Sequence, residues 1–345
     1  MEINNKNNLF TFNYLLYFFL LICSINFTDA RNILPSDPSE ESSRVKRDIF
    51  TIFCAAEPAD QLTDDGVKFH LFTKKNLNSS EEILLNDTHN NLKDTNFNSL
   101  NPTKIIVHGY NADMNLYPLV DMRVNYLNKS DINYNVIAVD WERLAAGCYP
   151  VVVEHAKRVG DRLAQLIHEL VLYGAKDIHA IGFSLGAHIP AFAANSLRPY
   201  KLPRITGLDP AMPLFVTVGL DGKLDAGDAE FVDVYHADAL IQGKIERCGH
   251  VDFYMNGGMN QPGCAEAESY HNCNHLRAAI YFAESISSNV GFWGWPCSSF
   301  SAYFFGYCTP VFPLTLAGDG VNKSTKGLFV VRTNSKSPFA KFDII

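Results

Sequence analysis

Long apolar runs are few in this 345-residue chain. The most apolar run, Leu15–Ser24, has only the length of a signal-peptide core. Positive charge is also short: 29 Lys and Arg stand against 37 Asp and Glu, a formal net charge of -8. Such a balance repels phosphates, so neither nucleic acid nor an anionic membrane is favoured as a partner. The eight cysteines never fall in a Cys-x-x-Cys spacing, which disfavours a zinc site. Internal repeats are absent, so a solenoid or propeller is not expected.

What is present points first to a compartment. Thr28-Asp-Ala30 ends the apolar run on a small residue suited to cleavage, so residues 1–30 read as a secretory signal peptide and the chain is expected to be extracellular. Residues 31–47 are polar, rich in Ser, Pro and Glu, and finish in Arg44-Val-Lys-Arg47, the form of a convertase site. They are expected to be a propeptide, with a solvated basic patch as the plainer alternative. Residues 48–345 then form one globular domain, consistent with a 47% hydrophobic composition. Sequons at Asn78, Asn86, Asn128 and Asn322 place those segments on the surface of a secreted glycoprotein. Val159, Leu163, Leu166, Ile167 and Leu170 recur at helical spacing within 151–173, which predicts a sheet-covering helix.

The chemistry-bearing signal is Gly182-Phe-Ser184-Leu-Gly186. It follows the apolar run 177–183, read as a buried strand, and precedes 187–195, read as a helix. A serine on so sharp a strand-to-helix turn takes strained dihedrals and leaves no room for a β-carbon two residues to either side, which is the logic of a nucleophile elbow. A second apolar strand, Thr103–Val107, ends in His108-Gly109-Tyr110, where an α/β hydrolase supplies one oxyanion amide; the other belongs to the residue after the nucleophile, Leu185. Asp209 ends the next apolar strand, giving the chain order Ser, Asp, His that the fold requires. The histidines that follow are His236, His250, His271 and His275, and the residues alone leave that choice open. His275 is expected at a loop–helix junction, because the apolar helical pattern begins at Leu276.

These segments, with Val139–Leu144, His250–Gly258, Gln261–Cys264 and Cys273–Arg277, resemble in order the pancreatic lipase family, over about Phe69 to Pro338. The resemblance implies a single α/β-hydrolase domain, a mostly parallel central sheet with helices on both faces. It implies Ser184 as nucleophile, Asp209 as the acid, His275 as the base, and the amides of Tyr110 and Leu185 as the oxyanion hole, with no cofactor required for the chemistry. His271 would then lie in the lid. Phe183 stands where the family usually has histidine. Short closure and the resemblance together suggest disulfides Cys54–Cys148, Cys264–Cys273 and Cys297–Cys308, leaving Cys248 over. Asp225 and Asp228 fall on the two carboxylate ligands of the family's structural calcium loop, with Leu220 and Lys223 at its carbonyl positions; a solvated acidic turn is the alternative.

The departures from the family set the expected substrate. Only residues 265–272 lie between Cys264 and Cys273, too few for an amphipathic lid, and the segment 236–250 is compressed. The chain ends at Ile345 without room for the family's carboxy-terminal β-sandwich, so no colipase is expected. Together these resemble the phospholipase A1 branch, including insect members. The expected activity is therefore release of the sn-1 fatty acid from phospholipid at a membrane or micelle interface, with an acylglycerol and triacylglycerol lipase activity as the alternative. The aromatic runs 292–295 and 300–305 are candidates for touching lipid or for core. Two rivals are a non-catalytic lipase-fold carrier or yolk-type protein, which typically loses the nucleophile or base, and a hydrolase of soluble esters or peptides.

Overall fold

The computed structural model describes residues 66–85 and 90–341. The expected signal peptide and propeptide, Cys54 and Asn86 lie outside the described residues. In chain order the elements are β1 (Lys68–Phe72), β2 (Glu81–Ile83), β3 (Thr103–Val107), α1 (Tyr117–Leu127), β4 (Asn135–Asp140), α2 (Glu142–Ala145) and α3 (Tyr149–Leu172). Then come β5 (Ile178–Phe183), α4 (Ile189–Leu197), β6 (Arg204–Leu208), β7 (Val232–His236), β8 (Val251–Met255) and α5 (Tyr270–Ser285). The last are β9 (Phe292–Cys297), α6 (Phe300–Phe304), β10 (Thr315–Ala317) and β11 (Gly327–Val331).

All described strands join one sheet in the order β10-β9-β11-β8-β7-β6-β5-β3-β4-β1-β2. From β11 to β4 every neighbour pair is parallel; β1 and β2 at one edge and β9 and β10 at the other are antiparallel. The central strands β3, β5, β6, β7 and β8 are buried along their whole length because both faces are covered. Ile105, Val107, Ile178 and Ala180 face α3 and α4, while Ile106, Val136 and Ile181 face α1 and α5. This is the α/β-hydrolase fold. After β3 and β4 the chain crosses back to lay β5 on the other side of β3 and then builds outward through β6, β7 and β8. The crevice above the carboxyl ends of β3 and β5 is therefore the switch point where such sheets place their ligands.

Opposite that edge, near the amino ends of the same strands, lies a buried charge network. Lys104 Nζ donates to Asp319 Oδ1 at 3.4 Å and contacts His179 Nδ1 at 3.2 Å. Arg204 forks onto both oxygens of Asp233, at 2.9 and 2.8 Å, and donates to the carbonyls of Gly318 and Asp319. Tyr126 Oη donates to Asp319 Oδ1 at 2.6 Å. Burial, then the charges of Arg204 and Lys104, hold the His179 ring well below its ordinary pKa and hence neutral.

Two boundaries differ from the sequence reading. Residues 184–187 form a 3-10 turn, so α4 starts at Ile189. His275 does not sit at a loop–helix junction: α5 begins at Tyr270, with Cys273 N–H bonded to Ser269 O. The first turn of α5 is tied by polar bonds and a disulfide instead of core packing, Tyr270 to Asn260, His271 to Asp238, Asn272 to Gln242 and Cys273 to Cys264, so a hydrophobic period is silent there. Of residues 265–272, then, 270–272 already belong to the helix.

Candidate active site

Ser184 sits at φ +57, a left-handed conformation that a side chain with a β-carbon rarely takes. The turn that forces it is packed backbone against backbone. A β-carbon on Gly182 would collide with the Gly186 carbonyl, and one on Gly186 with the carbonyl of His108. The two glycines thus let the elbow and the end of β3 touch, and Gly109 lies directly beside the Ser184 side chain.

The end of β3 is fixed by Trp141. Its backbone N–H donates to His108 Nε2 at 3.1 Å and its indole Nε1–H to the His108 carbonyl at 2.9 Å, with the two rings stacked at 5.2 Å. Since Nε2 accepts, the proton of His108 resides on Nδ1 and is donated to Gly109 O at 3.0 Å. His108 is fully buried and committed to structure. Tyr110 continues from this anchor, its hydroxyl donating to Gly147 O at 2.7 Å and its ring edge-on to Tyr149. Leu185, on the other side of the serine, is fully buried.

His275 Nδ1 donates to Asp209 Oδ2 at 2.6 Å. Asp209 is itself at φ +43, fully buried, and receives the backbone N–H of Ala237 on Oδ1 at 2.8 Å and that of Asp238 on Oδ2 at 3.0 Å. Four residues before His275, one helical turn away, His271 Nδ1 donates to Asp238 Oδ1 at 3.1 Å. His236 bonds the Lys244 carbonyl and Asp252, and His250 Nδ1 accepts from Val232 N–H. Of the four histidines, only His275 meets Asp209. Its ring packs 4.7 Å from that of Phe183, the residue preceding the serine. No hydrogen bond joins Ser184 Oγ to His275 among the described residues, a common state of unliganded sites that tightens when substrate binds.

Sequence reasoning did not single out the cradle of Asp209. Gly243 presses against the carboxylate, where a β-carbon would collide with both oxygens. Asp238 was equally unmarked, since nothing in a sequence distinguishes an acid whose amide supports its neighbour, and His271, one of the four candidate histidines, gave no sign that Asp238 was its partner.

Cys264–Cys273 and Cys297–Cys308 are disulfides; Cys148 is disulfide-bonded, and its expected partner Cys54 lies outside the described residues. Cys248 is free and buried. Asn78, Asn128 and Asn322 are exposed. Asp225 and Asp228 form a reciprocal cap on a short 3-10 turn: Asp225 Oδ1 accepts from Gly227 N–H and Asp228 Oδ2 from Asp225 N–H. Burial first, and then the neighbouring Asp225 charge, push the Asp228 carboxyl up to about 7. The Lys223 ammonium is directed to Glu246 at 2.8 Å. One oxygen of each aspartate lies outside these bonds, and a cation between them would offset their mutual repulsion. No cluster of three or more His, Cys, Asp or Glu able to hold a metal occurs among the described residues. No helix among them is long and apolar enough to cross a membrane.

A family model described as Lipase matches residues 40–339. Pancreatic lipase-related protein 2 of Cavia porcellus is 36% identical over 254 residues, 71% of this chain and 57% of that protein. Phospholipase A1 member A of Homo sapiens is 33% identical over 256 residues, 72% and 55% of the two chains. Inactive pancreatic lipase-related protein 1 of Homo sapiens is 34% identical over 269 residues, 71% and 56%. The chain thus spans little more than half the length of these relatives. Because one of them is named inactive, activity has to be argued from the site itself.

Proposed function

The chain belongs to the lipase family, and from that premise we propose that it is a secreted serine carboxylic-ester hydrolase acting on lipids, specifically a phospholipase A1. The observation that carries the reading is the 2.6 Å bond from His275 to a buried Asp209 beside a serine held at positive φ. With Nδ1 engaged by the acid, Nε2 of His275 is the nitrogen left to take the Ser184 proton as Oγ attacks the ester carbonyl. The oxyanion is received by the amides of Tyr110 and Leu185, preorganised by the His108–Trp141 anchor and the 3-10 turn. His275 returns the proton to the departing alcohol, here a lysophospholipid. Water, deprotonated by the same ring, then releases the fatty acid and restores the serine. No cofactor takes part.

Phospholipid over triacylglycerol is supported by the loop between Cys264 and Cys273, which is tied at both ends and partly wound into α5, leaving no mobile amphipathic cover. Activity without colipase follows from the same reading. Asp225 and Asp228 would hold a calcium ion whose contribution is to hold the loop before β7 in place, away from the chemistry. A triacylglycerol lipase remains the second reading, favoured by the identity of the pancreatic lipase-related relative, which is as high as that of the phospholipase A1.

The test supplies phosphatidylcholine with different acyl chains at its two positions and identifies the released acid by mass spectrometry, with triolein in parallel. The sn-1 acid is expected, without a jump at the aggregation threshold. Rapid triolein cleavage with intact phosphatidylcholine would transfer the assignment to a triacylglycerol lipase.

A further inference from the structure

Residues 285–318 contain no charged side chain and no histidine, in a chain of which 19% is charged. Part of that run is core: Trp295 and Phe292 are buried, and Phe300 and Tyr303 of α6 pack on the cluster of Tyr254, Trp295, Leu328 and Val330. The rest points outward. Phe304 and Phe305 are each 68% exposed, Phe312 71% and Tyr307 83%, with Val311 beside them. Five large apolar side chains within nine residues on one short segment form a concentration that water-facing surfaces seldom carry without use.

The patch is held stiffly across the end of the sheet: Cys297, bonded to Cys308, pairs with Leu328 at the amino end of β11, while Tyr303 reaches past the carboxyl end of β8. Cys297–Cys308 closes the segment, Trp295 Nε1–H bonds Cys308 O at 3.3 Å, and the Tyr254 and Phe300 rings lie 5.7 Å apart. The Tyr303 ring covers Gly257, just past the carboxyl end of β8, so closely that a β-carbon there would collide with it. The adjoining Gly258 carbonyl accepts the Ala239 N–H at 2.8 Å, in the segment whose Ala237 and Asp238 amides hold Asp209.

Resting on the reading of a lipid-ester substrate, we infer that Phe304, Phe305, Tyr307 and Phe312 form a fixed wedge that docks the enzyme on an electrically neutral, zwitterionic phospholipid surface. The occupant follows from charge and position. A patch on a segment with no side chain charged at neutral pH, in a chain of formal charge -8, gains nothing from an anionic headgroup. It gains from insertion of aromatic rings at the headgroup boundary, the depth that such side chains favour. Its anchoring beside the loops that carry Asp209 brings the cleft to the surface that holds the ester. A wedge that is permanently exposed needs no opening step, in keeping with the short tied loop at Cys264.

The test uses Ser184→Ala in the full chain, so that binding is read without turnover, and measures co-sedimentation with dioleoylphosphatidylcholine vesicles. Phe304→Ser, Phe305→Ser and Phe312→Ser, singly and together, are compared, with sedimentation velocity as a check on self-association. Each lost ring is expected to weaken vesicle binding on the order of tenfold, while the same changes in active protein leave hydrolysis of a soluble short-chain ester unchanged. Vesicle binding by the triple variant equal to its parent overturns the wedge. So does binding that demands anionic lipid, or a dimer that the triple variant dissociates, which would make the patch a contact between copies. Loss of binding in the Ser184→Ala series together with no esterase activity in the parent would sustain the wedge and remove the hydrolase reading.

Discussion

Asp238 supports Asp209 with its backbone and repels it through its side chain: its N–H donates to Asp209 Oδ2 at 3.0 Å, while its own carboxyl, 1% exposed, accepts a hydrogen bond from His271 Nδ1 at 3.1 Å. Two Asp–His pairs thus stand one helical turn apart on α5. Burial first, with the Asp209 charge acting the same way and the His271 bond opposing, pushes the Asp238 carboxyl from 3.8 up to about 6.

A pH dependence of stability follows. The fold favours the protonated Asp238, so its contribution is complete below about pH 4 and is lost as pH climbs through about 6. Asp238→Asn cannot ionise. Between pH 4 and pH 8 the stability difference should move in the variant's favour by about 1–3 kcal/mol, read by urea unfolding at several pH values. Parallel curves for the two proteins would show that the carboxyl keeps its ordinary pKa.

The base can be identified by comparing the two histidines. Ser184→Ala and His275→Ala should each lower kcat by about three orders of magnitude or more with folding intact. His271→Ala should cost no more than about tenfold, because its contact with the reacting groups runs only through Asp238. The reverse ranking in steady-state assays would assign the base to His271.

Gly243 offers a test of the acid's placement at a position carrying no chemistry. Gly243→Ala drives a methyl group into the Asp209 carboxylate, and a displacement of about 1 Å at a catalytic group costs on the order of a hundredfold in rate. The loss should fall on kcat more than on KM, with circular dichroism unchanged. Activity equal to the parent would mean that Asp209 need not be held where it is.

Peptide mapping of non-reduced protein should recover Cys264 with Cys273, Cys297 with Cys308 and Cys148 with Cys54, with Cys248 unmodified until unfolding. Replacing Cys264 and Cys273 by serine should cost about 2–3 kcal/mol for a loop of this size. Cys248 in any bridge contradicts the scheme.

The sequence made the strand-turn-helix around Ser184 legible because its two glycines and flanking apolar runs are local signals. The same holds for β3 and β6, where Ile105–Val107 and Ile205–Leu208 lead into the turns at His108 and Asp209. It left His271 and His275 undivided, since their distinction lies in which buried acid each reaches across the fold. The start of α5 was hidden for a related reason: a helical turn held by polar side chains and a disulfide instead of core carries no hydrophobic period. Gly243 and the wedge at Phe304 depend on close approach and exposure, which composition does not encode.

Lys104 and Asp319 are 215 positions apart, and the bond between them sets an order on how the molecule can be made. A chain emerging amino end first exposes Lys104 early, in a strand destined for the middle of the sheet. Its counter-charge is synthesised only near the end. Removing one partner of a buried ion pair costs about 3–5 kcal/mol, so β3 reaches its full stability only once Asp319 has been added. The nucleophile turn, which packs against the end of that strand, waits with it. A chain cut short before Asp319 would leave the buried Lys104 without that counter-charge, in the strand against which the Ser184 turn packs.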